Sequence, residues 1–103
     1  MYRVQQRQEV VYGHYKEVVE LIDEINGLLR SRGMIEFRTW SPSFGRGNEL
    51  ILESEYADLV TYERESEAFS SDPEIMKVWR SGAHLIVQGS VTSELLEPAP
   101  QLA

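Results

Sequence analysis

Hydrophobic and polar residues alternate through residues 2–11, and this period of two predicts a β-strand with one half-polar face. From Tyr15 onwards the hydrophobic residues recur every three or four positions, which predicts an amphipathic helix. The helix is expected to begin near Gly13 or His14. It is expected to end at Gly33, because a glycine that follows a basic turn is a common C-terminal cap.

Two further alternating segments follow and are separated by a glycine-rich loop. Residues 34–40 and 49–56 each predict a strand, and residues 41–48 supply the proline, serine and glycine residues that interrupt one. The two strands are therefore expected to form a hairpin. A hairpin loop is a simpler interpretation of residues 41–48 than an anion site, because the segment lacks the spacing of a nucleotide-binding loop and opens no helix.

The second half of the chain predicts two more helices. Asp58 is placed to cap a helix that continues to Phe69, with Leu59, Tyr62 and Phe69 as its expected buried residues. Asp72 is followed by a proline and a glutamate, a combination that favours the start of a short helix. A serine and glycine pair ends this last helix.

A final strand is expected to begin near His84, to include the apolar residues 85–87 and to reach Leu96. One domain is therefore predicted for residues 1–98. Residues 99–103 have no periodicity and are expected to form a flexible C-terminal tail.

The predicted order of strand, helix, strand, strand, helix, strand is the ferredoxin-like βαββαβ order of the α+β class. In this architecture the helices cover one face of a four-stranded antiparallel sheet and leave the other face bare. The bare face mixes aromatic residues, arginines and oppositely charged residues that can form ion pairs. Such a composition is typical of a surface that packs against a second copy of itself, so a sheet-to-sheet homodimer is expected. Alternation assigns to this face Arg3, Gln5, Arg7, Glu36, Arg38, Trp40, Ile51, Glu53, Glu55, His84, Ile86 and Gln88.

Charge and composition exclude several kinds of partner. The 103 residues carry a net charge of -7, which disfavours nucleic acid and anionic membrane surfaces as partners. The sequence contains no cysteine, so disulfides and thiolate metal sites are excluded. No segment has the length and apolarity of a signal peptide or a membrane span, and a cytoplasmic location is expected.

A set of spaced residues along nearly the whole chain resembles a known family. The residues that carry the resemblance are Trp40, Gly47-Asn48, Tyr56-Ala-Asp58, Arg64, Phe69, Asp72-Pro-Glu74, Trp79 and Leu95-Leu-Glu-Pro98. They resemble the NIPSNAP-like members of the dimeric α/β-barrel superfamily. The resemblance implies a ferredoxin-like fold and a homodimer. Relatives with this barrel include cofactor-independent monooxygenases, haem-degrading enzymes, isomerases and proteins of no known reaction, so the fold leaves the function open.

The sequence departs from the haem-degrading relatives. The haem-degrading relatives share an asparagine on the first strand. This chain has Gln5, Gln6 and Gln8 on that strand and no asparagine. These relatives also carry a tryptophan and a histidine from the second-helix region, where this chain has Trp79 but no histidine. Haem turnover is therefore not expected, and no cofactor is predicted. Trp79 lies on the apolar stripe of its helix and is expected in the core.

Four residues are candidates for a pocket at the bare face: Arg38, Trp40, Glu53 and His84. Arg38 and Trp40 could hold an anionic or aromatic ligand by charge and stacking, but dimer packing uses the same residue types. His84 could act as a general base because imidazole titrates near neutral pH, or it could be a hydrogen-bonded histidine at the start of a strand. The only other histidine, His14, lies on a different element without a metal-ligand spacing, so no metal site is predicted.

Glu53 also has a structural interpretation. Glu53 and Glu55 could form a carboxylate pair for acid and base chemistry. However, both share a face with Arg3 and Arg7 of the neighbouring first strand, so cross-strand ion pairs explain them without catalysis.

Two functions remain open. One is a homodimeric protein that binds a small aromatic or anionic organic molecule. The other is a cofactor-independent monooxygenase or isomerase that acts on an aromatic or polyketide-like substrate. A continuous interior cavity of roughly 300 to 1,000 Å³ would favour binding of a sizeable organic ligand, and a packed interior would leave only a structural role.

Overall fold

Four antiparallel strands form one sheet. A computed structural model describes residues 1–100 of the chain. The strands are β1 (Tyr2–Glu9), β2 (Arg38–Trp40), β3 (Glu49–Tyr56) and β4 (Thr92–Leu96), and their order in the sheet is β2-β3-β1-β4. This is the ferredoxin-like order, so the predicted fold is confirmed.

Three helices connect the strands: α1 (Tyr15–Ser31), α2 (Leu59–Ser71) and α3 (Pro73–Ser81). The first ends as expected, because Gly33 adopts a φ of 68° that suits a glycine and donates its N–H to the Arg30 carbonyl at 3.1 Å. The Asp58 carboxylate caps α2 by accepting the Thr61 N–H at 2.7 Å. The Asp72 carboxylate caps α3 in the same way.

The expected burial of α2 is partly wrong. Leu59 is exposed, and no residue of α2 is fully buried. Tyr62 and Phe69 are half-buried and pack inward, with Phe69 against the core. The helix therefore covers the sheet lightly, and Leu59 and Val60 at its start are exposed.

The strand predicted for residues 34–40 is shorter than expected, because β2 contains only Arg38–Trp40. Side chains satisfy the backbone of the preceding residues in place of a neighbouring strand. Asn26 donates to the Phe37 carbonyl at 2.9 Å and accepts the Phe37 N–H at 2.8 Å. Glu65 accepts the Ile35 N–H at 2.8 Å. These bonds remove the need for ladder pairing that alternation alone predicts.

The prediction that His84 begins the last strand is wrong. Residues Ala83–Leu85 form a single 3₁₀ turn, and only Ile86 makes an isolated bridge to Val10. Gly89, with a φ of 79°, then redirects the chain before β4 starts at Thr92. The apolar run that resembled a strand is therefore a turn followed by a bend. Of the predicted tail, residues 101–103 lie outside the described part of the chain.

The core lies between the sheet and two of the helices. Helix α1 contributes four buried residues, α3 contributes one, and β3 contributes Leu50 and Leu52. The register pairs Gln6 with Leu52 and Gln8 with Leu50, so both glutamines point to this helix-covered face. The core consists of Val10, Val18, Ile22, Ile25, Leu29, Leu50, Leu52, Ile75 and Leu85.

The opposite face of the sheet, called the open face below, is covered by no helix in the described residues 1–100. Its members from β1, β2 and β3 are the residues that alternation predicts: Arg3, Gln5, Arg7, Arg38, Trp40, Ile51, Glu53 and Glu55. The assignment of His84, Ile86 and Gln88 to this face is wrong, because all three line a cavity on the helix-covered side. Their misplacement follows from the misassigned last strand.

Candidate functional site

A cavity of about 970 Å³ lies between the sheet and helices α1 and α3; we call it the main cavity. Residues of the 3₁₀ turn and of the segment that follows it, as far as Gly89, form one side of its wall. Most of its wall is apolar. Its lining includes Gln6, Leu21, Met76, Trp79, Gly82 and His84.

Two glutamines form a polar strip on the sheet side of the main cavity. Gln8 is only 4% exposed and donates its amide N–H to the Leu50 carbonyl at 3.0 Å. Because the Leu50 carbonyl can only accept, the Gln8 amide nitrogen faces Leu50 and the Gln8 side-chain oxygen faces Gln6. The side-chain amide of Gln6 donates to this oxygen at 3.0 Å. The chain of bonds fixes the orientation of both amides. It leaves the side-chain oxygen of Gln6 without a donor among residues 1–100, at the cavity wall.

His84 lies at the entrance of the main cavity, on the 3₁₀ turn, and its side chain is exposed. Gly82 immediately before the turn is buried against α1. A Cβ atom at this position would lie 2.6 Å from a terminal carbon of Leu21, so the glycine allows α1 and α3 to approach. The close approach sets the position of the turn that carries His84.

Trp79 packs against the core, as predicted, and also lines the main cavity, which the sequence did not predict. Its ring centroid lies 5.4 Å from that of Phe69 in an edge-to-face arrangement and 6.3 Å from that of Phe37. These contacts hold the indole in place. The side chain is half-buried, so part of its surface is available to a molecule in the cavity.

The open face concentrates charge in a paired cluster. Glu53 is 5% exposed and accepts a hydrogen bond from Gln5 at 2.8 Å. Its other oxygen lies 3.1 Å from the Arg38 guanidinium and 3.7 Å from that of Arg3. Both arginines also bind Glu55, at 2.6 and 2.7 Å. The predicted cross-strand ion pairs are therefore present for Arg3.

Arg7 forms a different pair from the predicted one, because it binds Glu49 at 3.0 Å. Hydrogen bonds from Arg3, and then from Arg38, hold the pKa of Glu55 below its ordinary value. The same carboxylates hold the pKa of Arg3 above its ordinary value, chiefly through its hydrogen bond to Glu55. The charges of this cluster are therefore paired with opposite charges within the chain.

Three of the four predicted pocket residues lie together and the fourth does not. Arg38, Trp40 and Glu53 share the open face, where Trp40 is 53% exposed and paired in register with Ile51. His84 lies on the other side of the sheet. Within one chain the four residues form no common pocket. Gln6 and Gln8 were not among the predicted pocket residues, although polar side chains at inward positions of a strand are a visible signal in the sequence.

Solved structures from several bacteria are similar to the whole chain. A NIPSNAP domain protein from Burkholderia xenovorans has a TM-score of 0.79 and 17% identity, with 100% of this chain and 99% of that chain covered. A NIPSNAP family protein of unknown function from Agrobacterium tumefaciens has a TM-score of 0.76 and 14% identity, with 96% and 88% covered. The chain has a NIPSNAP-like fold.

The structural similarity extends to proteins described as monooxygenases. A proposed antibiotic biosynthesis monooxygenase from Deinococcus radiodurans has a TM-score of 0.70 and 10% identity, with 100% of this chain and 97% of that chain covered. No protein-family model matches the sequence, and no curated protein matches it. At these identities the likeness establishes the fold, and the function has to be argued from the site.

Two further observations concern the part of the chain that the structure describes. Within residues 1–100 no helix is long and apolar enough to cross a membrane. The same residues contain no group of three or more histidine and carboxylate side chains that could hold a metal ion.

Proposed function

We propose that this protein is a homodimer that binds a small, mainly apolar organic molecule in the main cavity of each chain. The volume of the main cavity carries the proposal. At about 970 Å³ it lies at the upper end of the range of small-molecule sites, which are typically apolar with a few fixed polar groups. Gln6 at the sheet and His84 at the entrance are such groups here.

The chemistry of the wall favours an aromatic ligand with a polar or anionic end. Trp79 offers a partly exposed indole held by two other rings, which suits stacking. Arg80 lines the same cavity as His84 and supplies a positive charge there. The amide of Gln6 is held in one orientation before any ligand arrives, which reduces the entropy lost on binding.

The open face supports the proposed dimer. It exposes Trp40 beside Ile51, and Leu96 is exposed at the register position next to Arg3. Its arginines and glutamates already neutralise one another within each chain. Two copies can therefore bury the apolar residues against each other without bringing unpaired like charges together. A ligand shared across this interface by Arg38, Trp40 and Glu53 stays a prediction, as does the cytoplasmic location.

Binding of the dye anilinonaphthalenesulfonate by the native protein tests the main cavity. Met76→Trp fills part of the cavity and is expected to weaken binding about tenfold. Val60→Trp, on the exposed surface of α2, is the matched control and should leave the affinity unchanged. Equal affinities in both variants would contradict a site in the main cavity.

Sedimentation of Trp40→Glu tests the dimer, which should dissociate.

A cofactor-independent monooxygenase or isomerase is the second candidate. The observation in its favour is that His84, a possible base, lines the same cavity as Trp79. The resemblance to the Deinococcus protein points in the same direction. Oxygenation of an activated aromatic CH₂ group would place one atom of O₂ in a new carbonyl and the other in water, without an external reductant. Oxygen uptake with an anthrone substrate, abolished in His84→Ala, would favour this candidate.

A further inference from the structure

A second cavity lies on the far side of Gln6 and Trp79 from the main cavity. Its volume is about 230 Å³, and both of these side chains line both cavities. The two spaces therefore adjoin at these two side chains. The polar side chains around the second cavity include Ser54, Tyr56, Tyr62 and Glu65.

The Ser54 hydroxyl is the unusual group of this cavity. Ser54 is 3% exposed, and its oxygen is the one buried side-chain polar atom in residues 1–100 without a hydrogen-bond partner. Burial raises the pKa of the neighbouring Tyr56 and a contact with Ser54 opposes that rise, but the two hydroxyls form no hydrogen bond of normal geometry. A buried hydroxyl without a partner destabilises a fold, so native structures usually supply one.

The charges around the second cavity restrict what could bind there. Among residues 1–100, no lysine, arginine or histidine lines it, whereas Glu65 does. An anionic group is therefore disfavoured. Burial, and then the charge of Glu65, raise the pKa of Tyr56, so its hydroxyl stays protonated at neutral pH. A hydroxyl fits better than a carbonyl, because only a hydroxyl can donate to Glu65 as well as accept from Ser54.

We propose that the second cavity binds the neutral hydroxyl end of an elongated ligand whose apolar body occupies the main cavity. The inference rests on the proposed function and adds the direction in which the ligand lies in the site. Its hydroxyl end lies beyond Gln6 and Trp79, at Ser54. Its other end lies at the entrance of the main cavity near His84. The ligand class is thus a hydroxylated aromatic or alicyclic molecule.

A pair of acids that differ in one hydroxyl group tests the proposal. Para-coumarate has a phenolic hydroxyl opposite its carboxylate, and cinnamate lacks it. The native protein should bind para-coumarate about tenfold more tightly in titration calorimetry, the size expected when a hydrogen bond satisfies a buried group. Ser54→Ala should remove this preference and leave the affinity for cinnamate unchanged. Its thermal midpoint should be no lower than that of the native protein.

Ser43→Ala, in the exposed loop between β2 and β3, is the matched control and should keep the tenfold preference. Equal affinities of the two acids for the native protein would overturn the inference, since Ser54 would then be satisfied by solvent. Binding of neither acid would overturn it as well. In both cases binding of anilinonaphthalenesulfonate would report separately on the main cavity, so the proposed function could stand alone.

Discussion

The two faces of the sheet contain different kinds of polar group. On the open face most of the polar groups are charged, and Arg3, Arg38, Glu53 and Glu55 pair with one another. On the helix-covered face they are neutral amides and hydroxyls, and some hydrogen-bonding capacity is left unused. The polar groups of the open face are therefore satisfied within the chain, whereas the helix-covered face has groups available for a ligand.

This difference explains why charge alone is a poor guide to the site. The residues of the open face attract attention in the sequence because arginine, tryptophan and glutamate are common in binding sites. The charges and hydrogen-bonding groups of these residues are already occupied by ion pairs within the chain. The residues therefore suit a protein interface better than a small-molecule site. Gln6 and Ser54 are less conspicuous, but both point into cavities. The candidate chemistry therefore lies on the helix-covered side.

Two neighbouring residues of β3 give the largest expected contrast between the faces. Leu52 is 2% exposed and packs in the core, whereas Ile51 is half-buried on the open face. Leu52→Ala should lower the free energy of unfolding by about 3 kcal/mol at every protein concentration. Ile51→Ala should cost less than about 1 kcal/mol in the monomer and should weaken the dimer about tenfold.

Chemical denaturation at two protein concentrations, together with sedimentation, measures both effects. If the two variants lost the same free energy at every concentration, the faces would not differ in the way described.

The buried carboxylate of the open face gives the next largest effect. Glu53→Gln removes a negative charge that lies between Arg3 and Arg38 and should lower the free energy of unfolding by about 2 kcal/mol. Glu49→Gln is the matched control, because its partner Arg7 is half-exposed, and it should cost less than about 1 kcal/mol. An equal loss in the two variants, measured by urea denaturation, would show that the cluster stabilises no more than an ordinary surface pair.

Much of the fold could be predicted from the sequence because periodicity records which side chains are buried. The bounds of β3 match the prediction, and Asp58 and Asp72 cap the helices that their positions predict. The prediction failed where backbone groups find other partners. Asn26 replaces a strand as the partner of Phe37, and no local pattern of alternation records such a distant hydrogen bond.

The site could be predicted less well than the fold. His84 was predicted to share a pocket with Arg38 and Trp40, but the turn at Ala83–Leu85 places it at a different cavity. An apolar run of three residues fits a strand and a turn equally well, so the sequence could not distinguish them. The cavity itself depends on how the chain bends at Gly89, which is a property of the packed molecule.

The smallest expected effect is a difference in pH dependence between the faces. The pKa of Glu55 is lowered in the folded protein by its hydrogen bonds from Arg3 and Arg38. Its contribution to stability is therefore fully present above the ordinary glutamate pKa of about 4.3 and is lost as the pH falls through the lowered value. Glu55→Gln should be less stable than the native protein at pH 7, and the two stability curves should converge below about pH 4.3. Ser54→Ala, on the helix-covered face, removes a neutral group, so its curve should stay parallel to that of the native protein from neutral pH down through the range in which Glu55 titrates. Curves for Glu55→Gln that diverged on acidification would show that the open-face cluster does not hold Glu55 in its ionised form.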